Sequence, residues 1–161
     1  MKITIITTGG TIDKVYFDAK SDYQIGDPQV KKILDRVGST VSYDVIELFH
    51  KDSLELTEED RAGIVDAAAS SDVDRVVITH GTDTMVQTAK ALKKVSETKT
   101  VVLVGSLTPA RFRESDAEFN IGVAIGAVQS LPHGIYLAMN GKIFHPENVR
   151  KNRDANRFEE I

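Results

Sequence analysis

The chain contains no cysteine, which excludes disulfides, thiolate chemistry and cysteine-ligated metals. No apolar run approaches the ~20 residues needed to cross a membrane as a helix. The opening Met1-Lys2-Ile3-Thr4 meets charge again at Asp13-Lys14 before the apolar stretch of a signal peptide can form. Low-complexity tracts are absent. So is an excess of positive charge: 20 Lys and Arg stand against 24 Asp and Glu, mixed along the chain for a net charge of −4, with no basic face for nucleic acid. His50, His80, His133 and His145 are too scattered for a metal site, and no H-E-x-x-H, G-x-G-x-x-G or Walker spacing occurs. These absences predict a soluble, cytoplasmic protein without a metal or cofactor. At 161 residues it is read as one domain, able to bury roughly 70% of its unfolded surface.

What is present alternates strand and helix. Residues 2–7 read as a strand. Residues 13–26 lack clear periodicity and form a long connection with the character of a mobile loop. Pro28 after Asp27 opens a helix that carries Val30, Ile33, Leu34 and Val37 on one face and stops at Gly38. Residues 41–48 alternate as a strand. Thr57 and the acidic triplet Glu58-Glu59-Asp60 cap the next helix. Strand 74–79 precedes a helix over 84–95, strand 101–104 precedes a helix capped by Ser115-Asp116, and 134–139 is a fifth strand, with 141–144 able to add a short one. Apolar runs without alternation, such as Val101-Val102-Leu103-Val104, suit strands covered on both faces. The expected fold is therefore α/β: three layers, a mainly parallel open sheet of about five strands, helices on both faces, in flavodoxin-like or Rossmann-like order. By composition alone, residues 147–161 would be a solvated, charged tail with Phe158 and Ile161 as isolated anchors.

Two phrases carry chemistry. Thr7-Thr8-Gly9-Gly10-Thr11-Ile12 and Thr79-His80-Gly81-Thr82-Asp83-Thr84-Met85 each follow an apolar, β-branched run. Each reads as a parallel strand ending in a turn rich in glycine and hydroxyls, at the sheet edge where such folds bind ligands. A threonine hydroxyl can attack an amide or ester carbonyl if a base takes its proton and backbone N–H groups hold the oxyanion. Either phrase alone is more often a turn with a helix cap. On residues alone, Tyr23 is an exposed loop tyrosine, Lys151 one lysine of a charged tail, and His80 a buried structural imidazole.

Together the phrases resemble the amino-terminal domain of the bacterial-type L-asparaginases, whose Thr-Gly-Gly-Thr-Ile and His-Gly-Thr-Asp-Thr motifs stand unaltered at 8–12 and 80–84. Val104-Gly105-Ser106-Leu107-Thr108-Pro109 is similar to a further family turn, and Ser115-Asp116-Ala117 with Phe119-Asn120 to the helix after it. The resemblance implies Thr11 as nucleophile, Tyr23 as a tyrosine of a mobile loop that assists it, and Thr82 as a second essential threonine paired with Lys151. It implies Asp83 as the carboxylate for the substrate's α-ammonium and Ser53 as a contact of its α-carboxylate. Gly10, Gly81, Ser106 and position 54 complete the implied substrate contacts. Leu54 departs from the family, which usually has glutamine or serine there, and its side chain can donate no hydrogen bond; losing one such bond to a charged group removes about 1.5–3 kcal/mol.

Full-length family members carry a second, carboxyl-terminal domain, a neighbouring copy of which contributes to the site. The chain ends at Ile161, so it resembles the short, single-domain asparaginases, with that domain absent. The resemblance then implies a homo-oligomer, dimer or tetramer. The expected reaction is hydrolysis of L-asparagine to L-aspartate and ammonia, with no cofactor. The alternatives are a related amidase acting on glutamine, a D-amino-acid amide or a lactam, or a sensor of asparagine or aspartate with little turnover.

Overall fold

A computed structural model describes residues 1–161. Its centre is a six-stranded sheet. β1 (Lys2–Gly9) pairs in parallel with β4 (Ser42–Lys51) on one side and β5 (Arg75–Thr79) on the other. β6 (Thr100–Val104) and β7 (Gly134–Met139) continue the parallel sheet, and β8 (Lys142–Phe144) closes it antiparallel. The order β4-β1-β5-β6-β7-β8 is the flavodoxin-like arrangement. The five expected parallel strands are all present, and residues 141–144 supply the short sixth.

Alternate residues of each strand feed two cores, one on each face. Ile6, Ile78, Leu103 and Leu137 pack under α2 (Glu58–Ala69) and α3 (Met85–Ala91), where Ile64, Ala68, Met85 and Ala89 meet them. Ile3, Ile5, Val77 and Val102 pack under α1 (Val30–Arg36) and α4 (Ala117–Ser130), against Ile33, Leu34, Ile121 and Val128. Both faces of the central strands are buried, which is why they read as unbroken apolar runs.

The capping reading holds at Thr57, which forms a reciprocal capping box with Asp60. It changes at Asp116. That carboxylate turns back to accept from the N–H groups of Leu107 and Thr108, each at 3.0 Å, and Ser115 takes the N–H of Ala117. Asp116 thus fixes the turn after β6 rather than the helix end. The helix after Thr84 is α-helical only to Ala91 and tightens to a 3-10 form over Leu92–Glu97.

Two segments correct the expectation. Residues 13–26 contain an antiparallel hairpin of β2 (Lys14–Phe17) and β3 (Asp22–Ile25), with Tyr16 opposite Tyr23. The aperiodicity arises because neither face of the hairpin is buried, so no alternation is selected. Residues 147–161 are not a solvated tail. β9 (Val149–Asn152) and β10 (Arg157–Glu160) pair as a second hairpin, and Val149 and Phe158 are buried in the core beneath α3. Burying two such side chains contributes on the order of 2 kcal/mol each, enough to outweigh the polar composition between them.

Candidate active site

The ends of β1 and β5 lie side by side, and the turns that follow them touch through glycine. Gly9 and Gly10 take φ values of +97° and +88°, a region that side chains with a Cβ rarely adopt. A methyl group on Gly10 would overlap the Cα and N of Gly81. One placed on Gly81 would lie 2.6 Å from Ser53 Cβ and 2.7 Å from its Oγ. Three backbones thus converge with no room between them: the turn after β1, the turn after β5 and the turn after β4. Thr11 and Thr82 each follow one of the two touching glycines.

Around this contact the polar groups divide into two sets. Lys151 Nζ, on β9, donates to Thr82 Oγ1 at 2.8 Å and to Asp83 Oδ1 at 2.9 Å. The lysine side chain is only 15% exposed, because the hairpin that carries it is pinned by Val149 and Phe158. Arg153 also approaches Asp83, at 3.5 Å. The backbone N–H groups of Thr82 and Asp83 make no hydrogen bond within the chain. Ser53 is buried, and its Oγ has no partner in the protein. Thr84 Oγ1 donates to the Ser53 carbonyl at 2.8 Å, which holds that turn against the second motif.

The other set surrounds Thr11. A cleft of about 410 Å³ is lined by Thr11, Lys14, Tyr23, Leu107, Pro109 and Phe112, together with Thr108. Tyr23 reaches it from β3, its ring 5.4 Å from Tyr16 and 6.1 Å from Phe112. Lys14 forms an ion pair with Asp52 at 3.0 Å, tying the hairpin to the turn that carries Ser53. Burial opposes the charge on Asp52, but the N–H of Leu54 and the Lys14 ammonium together hold its carboxyl below the usual carboxylate range.

Other implied contacts sit differently. Ser106 is fully buried, and its Oγ donates to the Thr108 carbonyl at 2.6 Å, so this hydroxyl braces the 107–109 turn. Leu54 follows Ser53 but is 64% exposed and does not line the Thr11 cleft. The Gly10 N–H is taken up by the Lys51 carbonyl at 3.0 Å, so it is not an available oxyanion donor. His80 is wholly buried, with Nδ1 2.7 Å from the Gly81 carbonyl and Nε2 2.8 Å from Thr88 Oγ1. A carbonyl can only accept, so Nδ1 carries the proton and Nε2 accepts from Thr88. Burial pushes this imidazole down to about 4, against the Gly81 carbonyl, which favours its charged form. His80 is a neutral strut for the second turn.

Sequence reading missed Lys14, Arg153 and Phe112. Lys14 and Phe112 lie in segments without periodicity. Arg153 had one available signal: it is two residues beyond Lys151, the spacing that returns a strand to the same face.

Fold and candidate site together define a flavodoxin-like α/β domain in which two threonine-bearing turns meet at the strands' carboxyl ends. The chain belongs to the asparaginase family: residues 2–159 match the family model described as "Asparaginase, N-terminal". It is 30% identical over 166 residues to the glutaminase-asparaginase of Pseudomonas fluorescens biotype A, covering 92% of this chain and 45% of that protein. It is 32% identical over 158 residues to the L-asparaginase of Thermococcus kodakarensis, covering 94% of this chain and 48% of that one. The solved structure of the thermostable L-asparaginase from Thermococcus kodakarensis superposes with a TM-score of 0.84 at 29% identity, over 100% of this chain and 51% of that chain. The chain therefore spans about half the length of the relatives it matches.

Proposed function

We propose that this domain hydrolyses the side-chain amide of L-asparagine, giving L-aspartate and ammonia by double displacement at Thr11. The observation that carries the reading is the meeting of the two turns at Gly10 and Gly81, each followed by a threonine, with Lys151 Nζ 2.8 Å from the second hydroxyl. Thr11 Oγ attacks the amide carbon and the C–N bond breaks. The threonine proton leaves with the nitrogen as ammonia, and an aspartyl-threonine ester remains. Water then adds to the ester carbon and releases aspartate, returning the proton to Thr11. Thr82 and Lys151 carry protons in both halves. The unpaired N–H groups of Thr82 and Asp83 hold the oxyanion; one donor of this kind typically contributes about 10²–10³ in rate.

Asp83 takes the α-ammonium, and the unpartnered hydroxyl of Ser53 takes the α-carboxylate. Tyr23 closes the cleft over Thr11 from the hairpin. No step needs a cofactor. The same reading takes the working unit to be a cytoplasmic homo-oligomer, whose size sedimentation would give.

Ammonia release from L-asparagine by the purified protein tests the reaction. Turnover that vanishes in Thr11→Ala supports it, as does a trapped acyl-enzyme with the mass of an added aspartyl group on Thr11. Ligand-dependent stabilisation without ammonia would replace the enzyme with a sensor.

A further inference from the structure

A second hollow shares Phe112 with the Thr11 cleft. It measures about 370 Å³ and is lined by Gln29, Lys32, Arg36, Arg111, Phe112 and Arg113 and by one carboxylate, Glu118. Four of its lining residues are cationic. Arg36 is neutralised by Glu118 at 2.7 Å. Lys32, Arg111 and Arg113 form no ion pair anywhere in the chain, although acidic residues outnumber basic ones. Lys32 and Arg36 are four apart on α1, a spacing at which like charges repel. Such a gathering of uncompensated charge raises the local concentration of anions and favours one that bridges several cations.

The hollow also has a buried polar floor. Gln29 is 5% exposed, its N–H is given to Asp13 Oδ1 at 2.8 Å, and its side-chain amide to the Asp27 carbonyl at 2.6 Å. Asp13, which accepts the Gln29 N–H and feels the charge of Arg111, does not line the hollow. Nothing on the walls supplies the missing negative charge.

We propose that this hollow binds a small phosphate-bearing anion, held by the guanidinium groups of Arg111 and Arg113 and the ammonium of Lys32. A monovalent anion would leave two of the three charges unmatched. A phosphoryl group with two or more charges matches them, and guanidinium forks fit its oxygens in pairs. The site is also wired to the cleft. A methyl group on Gly26, at the base of the β2–β3 hairpin, would lie 3.5 Å from an Arg111 terminal nitrogen. Phe112, between the two arginines, faces Tyr23 at 6.1 Å. The Ala110 N–H is bonded to the Ile12 carbonyl at 3.1 Å, next to Thr11. An anion that fixes Arg111 and Arg113 therefore fixes the backing of Tyr23. The site does not depend on which reaction Thr11 performs.

Calorimetric titration of the whole chain with inorganic pyrophosphate, at ionic strength held constant with NaCl, tests it. The expected result is saturable one-site binding with a Kd below roughly 1 mM, weakened about tenfold or more in Arg111→Ala and in Arg113→Ala. Lys93→Ala, which removes an exposed, unpaired cation from elsewhere on the surface, should change it less than about twofold. No saturable binding, or equal losses in all three variants, would overturn the site. Succinate binding as tightly as pyrophosphate would overturn the phosphoryl assignment. Both arginines are exposed, so unfolding should not confuse the result, and thermal melts check that. Movement of the Tyr23 ring resonances on pyrophosphate addition supports the link to the cleft, and unmoved resonances at saturation remove it.

Discussion

Lys151 Nζ donates to Thr82 Oγ1 across 2.8 Å, joining the second motif to a hairpin 69 residues further along the chain. The lysine also holds Asp83, so it organises two of the groups proposed to act on substrate. Lys151→Met keeps the bulk of the stem and removes the ammonium. Ammonia release should fall about 10²-fold or more, the usual loss when a proton-handling group is removed. The melting temperature should change little, because Val149 and Phe158 still anchor the hairpin. Lys151→Arg keeps the charge beside Asp83 but cannot place a single nitrogen on Thr82, so it should restore only a small part of the activity. Full activity in Lys151→Met would remove the lysine from the machinery.

Gly10 and Gly38 separate two costs of adding a methyl group. Both have positive φ, +88° and +66°, but alanine at 38 meets nothing within 4 Å, whereas at 10 it overlaps Gly81. Gly38→Ala should lose about 1–2 kcal/mol from backbone strain alone. Gly10→Ala, at φ +88° and ψ −175° where almost only glycine is found, should lose more, about 2–4 kcal/mol from strain plus overlap, with activity lost because Thr11 and Thr82 are pushed apart. Urea denaturation of both variants measures the difference. Equal losses would mean that the two turns can separate freely.

The sheet was legible because burial on both faces leaves a simple mark, an unbroken apolar run such as Val101 to Val104. Thr57 was legible because a cap is local, needing only Asp60 three residues on. The hairpin at 14–25 was not, since Tyr16, Phe17 and Tyr23 are exposed and no face imposes a pattern. The docking of 149–160 was hidden for the opposite reason: it hangs on two apolar anchors nine residues apart, and composition averages them away. The candidate site was read through motif, not physics. What sequence could not give was the pairings among segments far apart, such as Lys14 with Asp52 and Arg153 with Asp83.

Leu54 separates the roles of exposure and position. Its side chain is largely in solvent while its N–H is committed to Asp52 Oδ1 at 3.1 Å. Leu54→Gln should therefore leave stability within about 0.5 kcal/mol of the parent. If the side chain swings over bound substrate, the new amide should lower KM for asparagine about tenfold, one hydrogen bond to a charged group. An unchanged KM would place position 54 outside substrate contact.

Asp13 and His80 are both buried, and their titrations oppose each other. Burial pushes the Asp13 carboxyl up to about 7, against the Gln29 N–H it accepts, and its Oδ2 has no partner. Between pH ~4 and ~7 the native state holds a proton that the unfolded chain has released, so stability falls as pH rises. His80 works the other way. Its native value is about 4, so between pH ~4 and ~6.5 the unfolded chain binds the extra proton and stability rises with pH. Over the window they share, from pH ~4 to ~6.5, each contributes about 3 kcal/mol, so there they largely cancel. Urea denaturation across this range should give a nearly flat profile for the parent. Asp13→Asn removes the falling component and should expose a rise of about 3 kcal/mol from pH ~4 to ~6.5. His80→Gln should expose the fall instead, whatever its absolute stability, because the slope reports only the remaining group. An Asp13→Asn profile that tracks the parent would mean that Asp13 is ionised throughout, and its unpartnered, buried oxygen would then carry negative charge.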